Sequence, residues 1–125
     1  GAASKGLFSV AWIDENTLLT VGGDYKEPAL PGVKASLSHD RGAHWTSISA
    51  DPGFLSSVVR GPGQDPAVVA VGLAGTGISN DGGKTWKAID ATPYNTVGFA
   101  PSRGSKTGAG WAVGPKGAIA RWQRR

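Results

Sequence analysis

Eight residues recur in this chain at a fixed separation. Ser38-His39-Asp40-Arg41-Gly42-Ala43-His44-Trp45 and Ser79-Asn80-Asp81-Gly82-Gly83-Lys84-Thr85-Trp86 both read S-x-D-x-G-x-x-W. The two aspartates stand 41 positions apart, and so do the two tryptophans. Self-similarity at a period of roughly 40 residues marks a repeat architecture of small stacked units. The 20 glycines and 8 prolines among 125 residues point the same way, to short strands and tight turns rather than long helices.

Three units align along the chain, spanning approximately 6–49, 54–90 and 94–123 of a single domain, 1–125. Each opens with a strand-like segment: Leu7 to Trp12, Phe54 to Val59, and Asn95 to Ala100. Each continues into a second apolar segment ending in Val-Gly: Leu18 to Gly22, Val68 to Gly72, and Gly110 to Gly114. A third follows: Ala35 to Ser38, Thr76 to Ser79, and Ala118 to Trp122. β-Branched residues and short length favour strand over helix throughout. In the first two units the repeated motif comes next, and then a fourth strand, Trp45 to Ser49 and Trp86 to Ile89. Four antiparallel strands per unit make one blade of a β-propeller. Asp51-Pro52-Gly53 and Ala91-Thr92-Pro93 supply turn chemistry between blades.

The motif has a mechanical explanation. Asp40 and Asp81 can accept backbone N–H groups as Asx turns do. Gly42 and Gly83 supply a positive φ at little steric cost. Trp45 and Trp86 then start the outer strand and are expected to bury apolar surface against the blade. With Ser38 and Ser79, these residues form a structural turn that needs no ligand.

At these residues the chain resembles a known family. S-x-D-x-G-x-x-W is the Asp-box, or BNR repeat, of sialidase-like propellers. The fuller pattern, Val71-Gly72 … Gly77-Ile78-Ser79-Asn80-Asp81-Gly82-Gly83-Lys84-Thr85-Trp86 and again Gly110-Trp111-Ala112-Val113-Gly114-Pro115-Lys116-Gly117-Ala118-Ile119, is similar to the photosystem II assembly-factor-like propellers. The resemblance implies an all-β, partial β-propeller of about three four-stranded antiparallel blades with Asp-box turns. It implies a non-catalytic binding or assembly scaffold with a protein partner, and by analogy an exported, periplasmic or lumenal setting. The third unit has no Asp-box and stops after its third strand, and closed propellers have roughly four to eight blades. The expectation is therefore the C-terminal piece of a longer protein, or copies that associate. Remaining blades, in another chain segment or a second copy, are then partners too.

The chain lacks cysteine, which excludes disulfides, thiolate metal sites and a cysteine nucleophile. It also lacks methionine, and Gly1-Ala2-Ala3-Ser4-Lys5 opens no secretory apolar core. No apolar run is long enough for a membrane span. The net charge is +4, with Lys106, Lys116, Arg121, Arg124 and Arg125 weighting the last third. That is a solvated surface with a basic tail, not the dense stripe of a nucleic-acid binder.

A sialidase-like glycoside hydrolase is the rival reading, and a glycan-binding, lectin-like propeller the third. A sialidase needs an arginine cluster, a Tyr/Glu pair and an acid. The candidates are Arg60, Arg103, Arg121, Tyr25, Tyr94, Glu15, Glu27, Asp14 and Asp24, and no Tyr and Glu fall on matching strands of neighbouring units. No catalytic residue is assigned. Asp24, Tyr25, Lys26 and Glu27, in a loop reaching Pro28, are the candidate partner or ligand contacts. His39 and His44 lack a third ligand nearby, so no metal and no cofactor is expected. Gly72 to Gly77 opens no helix and reads as a hairpin rather than a phosphate cradle. Trp12, Trp111 and Trp122 fall within strands and are expected in the core, although a tryptophan at the ring mouth would stack on a sugar.

Overall fold

The computed structural model describes residues 5–27, 33–49, 53–61, 67–100 and 109–122. Arg103, Lys106, Gln123, Arg124 and Arg125 lie outside these residues, as do Pro28, Asp51 and Pro52. The described part is all β. The first sheet runs in the order β1 (Lys5–Trp12), β2 (Leu18–Asp24), β3 (Val33–Ser38) and β4 (Thr46–Ser49). The second runs β5 (Ser57–Arg60), β6 (Val68–Gly72), β7 (Gly75–Ser79) and β8 (Lys87–Asp90). The third holds β9 (Thr96–Phe99), β10 (Gly110–Gly114) and β11 (Ala118–Trp122). Every neighbouring pair is antiparallel. Each sheet is thus a meander laid down in chain order, and β1, β5 and β9 are its first strands.

The sheets stack face to face, and two apolar layers hold them together. Leu19, Val21, Ala35 and Leu37 of the first sheet meet Leu55, Val58, Val68 and Ala70 of the second unit. On the opposite face of β6, Val69 and Val71 meet Tyr94 and Val97, with Ala112, Ala120 and Trp122 packed around them. The middle strand β6 is therefore covered on both sides and buried at every residue. That is why it reads as the unbroken run Val68-Val69-Ala70-Val71-Gly72 instead of alternating. β10 is covered on one side only, and its exposure alternates.

Strand ends differ from the sequence reading in informative places. Phe54 and Leu55 precede β5, because the Leu55 N–H donates to Gly22 O of the first sheet at 3.0 Å rather than to β6. Trp45 and Trp86 stand just before β4 and β8. The glycine-rich stretch is a tight hairpin in which Gly72 and Gly75 are opposed. Trp12 and Trp111 are not core residues; they are 53% and 50% exposed. They lie on the faces of the two terminal sheets that, among the described residues, no other sheet covers. Trp122 is half-buried and edge-on to Phe99, with centroids 6.2 Å apart.

Candidate interaction surfaces

The two S-x-D-x-G-x-x-W turns are built alike. Ser38 Oγ donates to Asp40 Oδ1 at 2.8 Å and accepts the Gly42 N–H at 2.8 Å. Asp40 Oδ1 in turn accepts the His44 N–H at 2.8 Å. In the second copy Ser79 Oγ donates to Asp81 Oδ1 at 2.8 Å and accepts the Gly83 N–H at 2.9 Å, while Asp81 Oδ1 accepts the Thr85 N–H at 2.9 Å. Both serines are buried. The aspartates reach four residues ahead, not two as in a simple Asx turn. Gly42 and Gly83 have φ of 95° and 94°, in the region that a side chain disfavours.

The tryptophans meet the expectation of burial at Trp86 but not at Trp45. Trp45 and Trp86 donate their indole N–H to Gly42 O at 3.0 Å and Gly83 O at 2.8 Å. Trp86 also packs against the first apolar layer, whereas Trp45 is exposed. The difference is one of position: the second turn lies against the first sheet, where a side chain on Gly83 would meet Leu19. In the third sheet, Trp122 sits opposite Gly110, as Ser38 sits opposite Leu18 and Ser79 opposite Val68. The Phe99 ring fills the space above Gly110, so an indole occupies the place where the first two units anchor a turn.

These bonds set the electrostatics of the turns. The backbone N–H and ring of His44, then Ser38, hold the Asp40 carboxyl down to about 2. The hydroxyl and N–H of Thr85, then Ser79, hold Asp81 down to about 2 as well. A carboxyl with a lowered folded pKa contributes stability above its ordinary value, here 3.8, and loses it as pH falls through the folded value. Melting temperatures followed by circular dichroism should therefore fall between about pH 4 and pH 2. The fall should be shallower in the double variant Asp40→Asn/Asp81→Asn. An unchanged slope in that variant would show that the turns do not sense acid.

Of the remaining candidates, Tyr94 and Arg121 line one cleft together with Asp90, while Asp14 and Asp24 each sit in a local turn of the first unit. Asp14 Oδ1 accepts the N–H groups of Asn16 and Thr17 at 2.9 and 2.8 Å, which lowers its pKa. Asp24 Oδ1 accepts the Lys26 N–H at 3.0 Å, and the Glu27 N–H donates to Asp24 O at 3.1 Å, closing the loop into a small turn. Tyr25 leans edge-on against Phe8, centroids 6.3 Å apart, and Phe8 against Phe54 at 5.1 Å. Tyr94 is buried in the second apolar layer. Arg121 lies over the Trp111 ring at 5.9 Å. The His44 ring Nδ1 lies 2.6 Å from Asp40 Oδ2. Among the described residues no three His, Cys, Asp or Glu side chains gather as a metal site, and no helix is long and apolar enough to cross a membrane.

Two surfaces stand out among the described residues. The first is the edge of β11. β3 and β7 each carry an outer strand, β4 and β8, but among the described residues β11 pairs with β10 alone. Beside it a cleft opens between the second and third sheets, lined by Val69, Val71, Ile89, Ala120 and Trp122. The second is the pair of uncovered faces at the two ends of the stack. Leu7, Val10 and Trp12 are exposed on the first sheet, and Trp111, Val113 and Ile119 on the third.

No protein-family model and no curated protein matches the chain. Solved structures do. One is YCF48 bound to D1 peptide, with a TM-score of 0.62 at 19% identity, over 95% of this chain and 38% of that one. Another is an ancestral GH74 enzyme, with a TM-score of 0.60 at 21% identity, over 90% of this chain and 17% of that one. The chain spans well under half the length of either. Likeness at this identity speaks for the fold alone, and the fold is a partial β-propeller of antiparallel sheets.

Proposed function

We propose that this chain is part of a β-propeller scaffold that binds a protein partner, and that its repeated turns are Asp-boxes serving as structural hardware. The units 6–49, 54–90 and 94–123 would be its blades. The observation that carries the reading is the mostly apolar cleft between the second and third sheets, beside a β11 edge that pairs with β10 alone among the described residues. An unpaired strand edge is a template for an added strand, whose backbone supplies affinity and whose alternate side chains supply specificity. The partner segment would be extended, with a small apolar side chain entering the cleft by Ala120 and Trp122. YCF48 was solved with a peptide, which supports a peptide as the class of ligand. The loop Asp24, Tyr25, Lys26 and Glu27 is a secondary contact in this reading.

The probe is a labelled synthetic peptide with the sequence of residues 79–90, the turn and outer strand of the second sheet. Fluorescence anisotropy should show saturable binding, lost when alternate peptide nitrogens are methylated. No saturable binding, or equal binding of the methylated peptide, would overturn strand addition. Turnover of a fluorogenic sialoside, lost on changing a carboxylate, would instead favour the glycoside hydrolase. Capture on a glycan array would favour the lectin-like reading.

A further inference from the structure

The two junctions between sheets use one hydrogen-bond pattern twice. At the first, the Leu55 N–H donates to Gly22 O at 3.0 Å and the Val58 N–H to Ser9 Oγ at 3.1 Å. At the second, the Tyr94 N–H donates to Gly72 O at 3.1 Å and the Val97 N–H to Ser57 Oγ at 3.2 Å. The strand registers identify the matching positions. Ser9, Ser57 and Thr96 lie opposite Val21, Val71 and Val113. A side chain on Gly22, Gly72 or Gly114 would meet the backbone of Leu7, Leu55 or Tyr94 respectively.

The pattern therefore has two complementary ends. The third sheet carries the matching oxygens, Gly114 O and Thr96 Oγ1, and the latter is already 3.2 Å from Ser57 Oγ, to which it can donate while accepting from outside. The first sheet offers the donors at the same repeat positions, the N–H groups of Leu7 and Val10. The apolar surfaces correspond as well. Leu7 and Val10 match Leu55 and Val58, which are buried at the first junction; Trp111 and Val113 match Leu19 and Val21, and Val69 and Val71, which are buried at the two junctions.

We infer that the first sheet of one copy of this chain docks on the third sheet of a second copy, head to tail, repeating the internal junction. The occupant is a second copy because one chain carries both halves of the pattern in matching register. The contact is heterologous, so it closes a ring or continues as a filament according to the rotation per copy. It uses the end faces and not the β11 edge, so it stands or falls separately from the partner site.

Sedimentation velocity over a concentration series tests it with two variants. Val10→Asp blocks the first face and Ile119→Asp the second; these residues are 60% and 69% exposed, so the fold should survive. The native sequence should associate as concentration rises. Each variant alone should stay monomeric. Mixed in equal amounts they should form a one-to-one complex that grows no further, since each keeps one intact face. A native chain that stays monomeric at every concentration would overturn the inference, and would leave the ends to blades of a different sequence. Association that survives Val10→Asp but not Ile119→Asp would overturn it too, as the mark of a symmetric contact between third sheets. Cooperative melts of both variants confirm that folding is intact.

Discussion

Leu55→Ala is expected to lower stability by about 2–5 kcal/mol, the cost of emptying a well-packed leucine site. Leu55 is fully buried between the first and second sheets. Its counterpart in the repeat is Leu7, which is 61% exposed. Leu7→Ala should change stability by no more than about 0.5 kcal/mol. Urea unfolding of both variants in dilute solution makes the comparison. Comparable losses at the two positions would mean that the face of the first sheet is covered even in the dilute chain. A loss under about 1 kcal/mol for Leu55→Ala would show that the junction between sheets is not the core it is taken for here.

The second large effect is expected at Gly72→Ala. Gly72 ends β6 where the backbone of Phe54 and Leu55 crosses it, and a methyl group there would meet the Phe54 carbonyl. Backbone cannot step aside as a flexible side chain can. It is also pinned by the hydrogen bond from Leu55 to Gly22. Overpacking of this kind costs about 3 kcal/mol when the neighbours cannot relax. The contrast is Gly98→Ala in β9, where a methyl group would meet nothing within 4 Å. That change should be neutral, or stabilise slightly by stiffening the unfolded chain, with a shift of no more than about 0.5 kcal/mol. Thermal melts of the pair decide whether close approach or glycine flexibility explains the Val-Gly ending of each second strand. Equal effects at the two sites would rule out close approach.

Much of the fold was legible because repeats leave their period in the sequence. The turns, the second strands ending in Val-Gly and the hairpin at Gly72 to Gly75 all follow from local chemistry. Strand and turn preferences act over a few residues, so a sequence window contains the forces that decide them. The start of β5 was not legible, because Leu55 takes its hydrogen-bond partner from another sheet. The roles of the tryptophans were not legible either. Trp12, Trp111 and Trp122 all read as apolar strand residues, yet only Trp122 faces a neighbouring sheet.

The surfaces show the same division more sharply. The edge of β11, which pairs with β10 alone among the described residues, was anticipated in outline. The cleft beside it needs side chains from β6, β8 and β11 at once, and no linear pattern joins them. Of the candidates chosen by residue type, Tyr94 and Arg121 come together at that cleft, which residue type alone could not show because it carries no distance.

By itself the sequence determined the repeat, the order of strands within each unit and the hydrogen-bonded turns at Asp40 and Asp81, since each depends on contacts within about ten residues. Only the tertiary structure decided which copy of a repeated position is buried. Leu7 and Leu55 occupy one place in the repeat, and the second is core because a sheet lies against it. Burial depends on what is stacked alongside, and for the two end faces of this stack it depends on what arrives there.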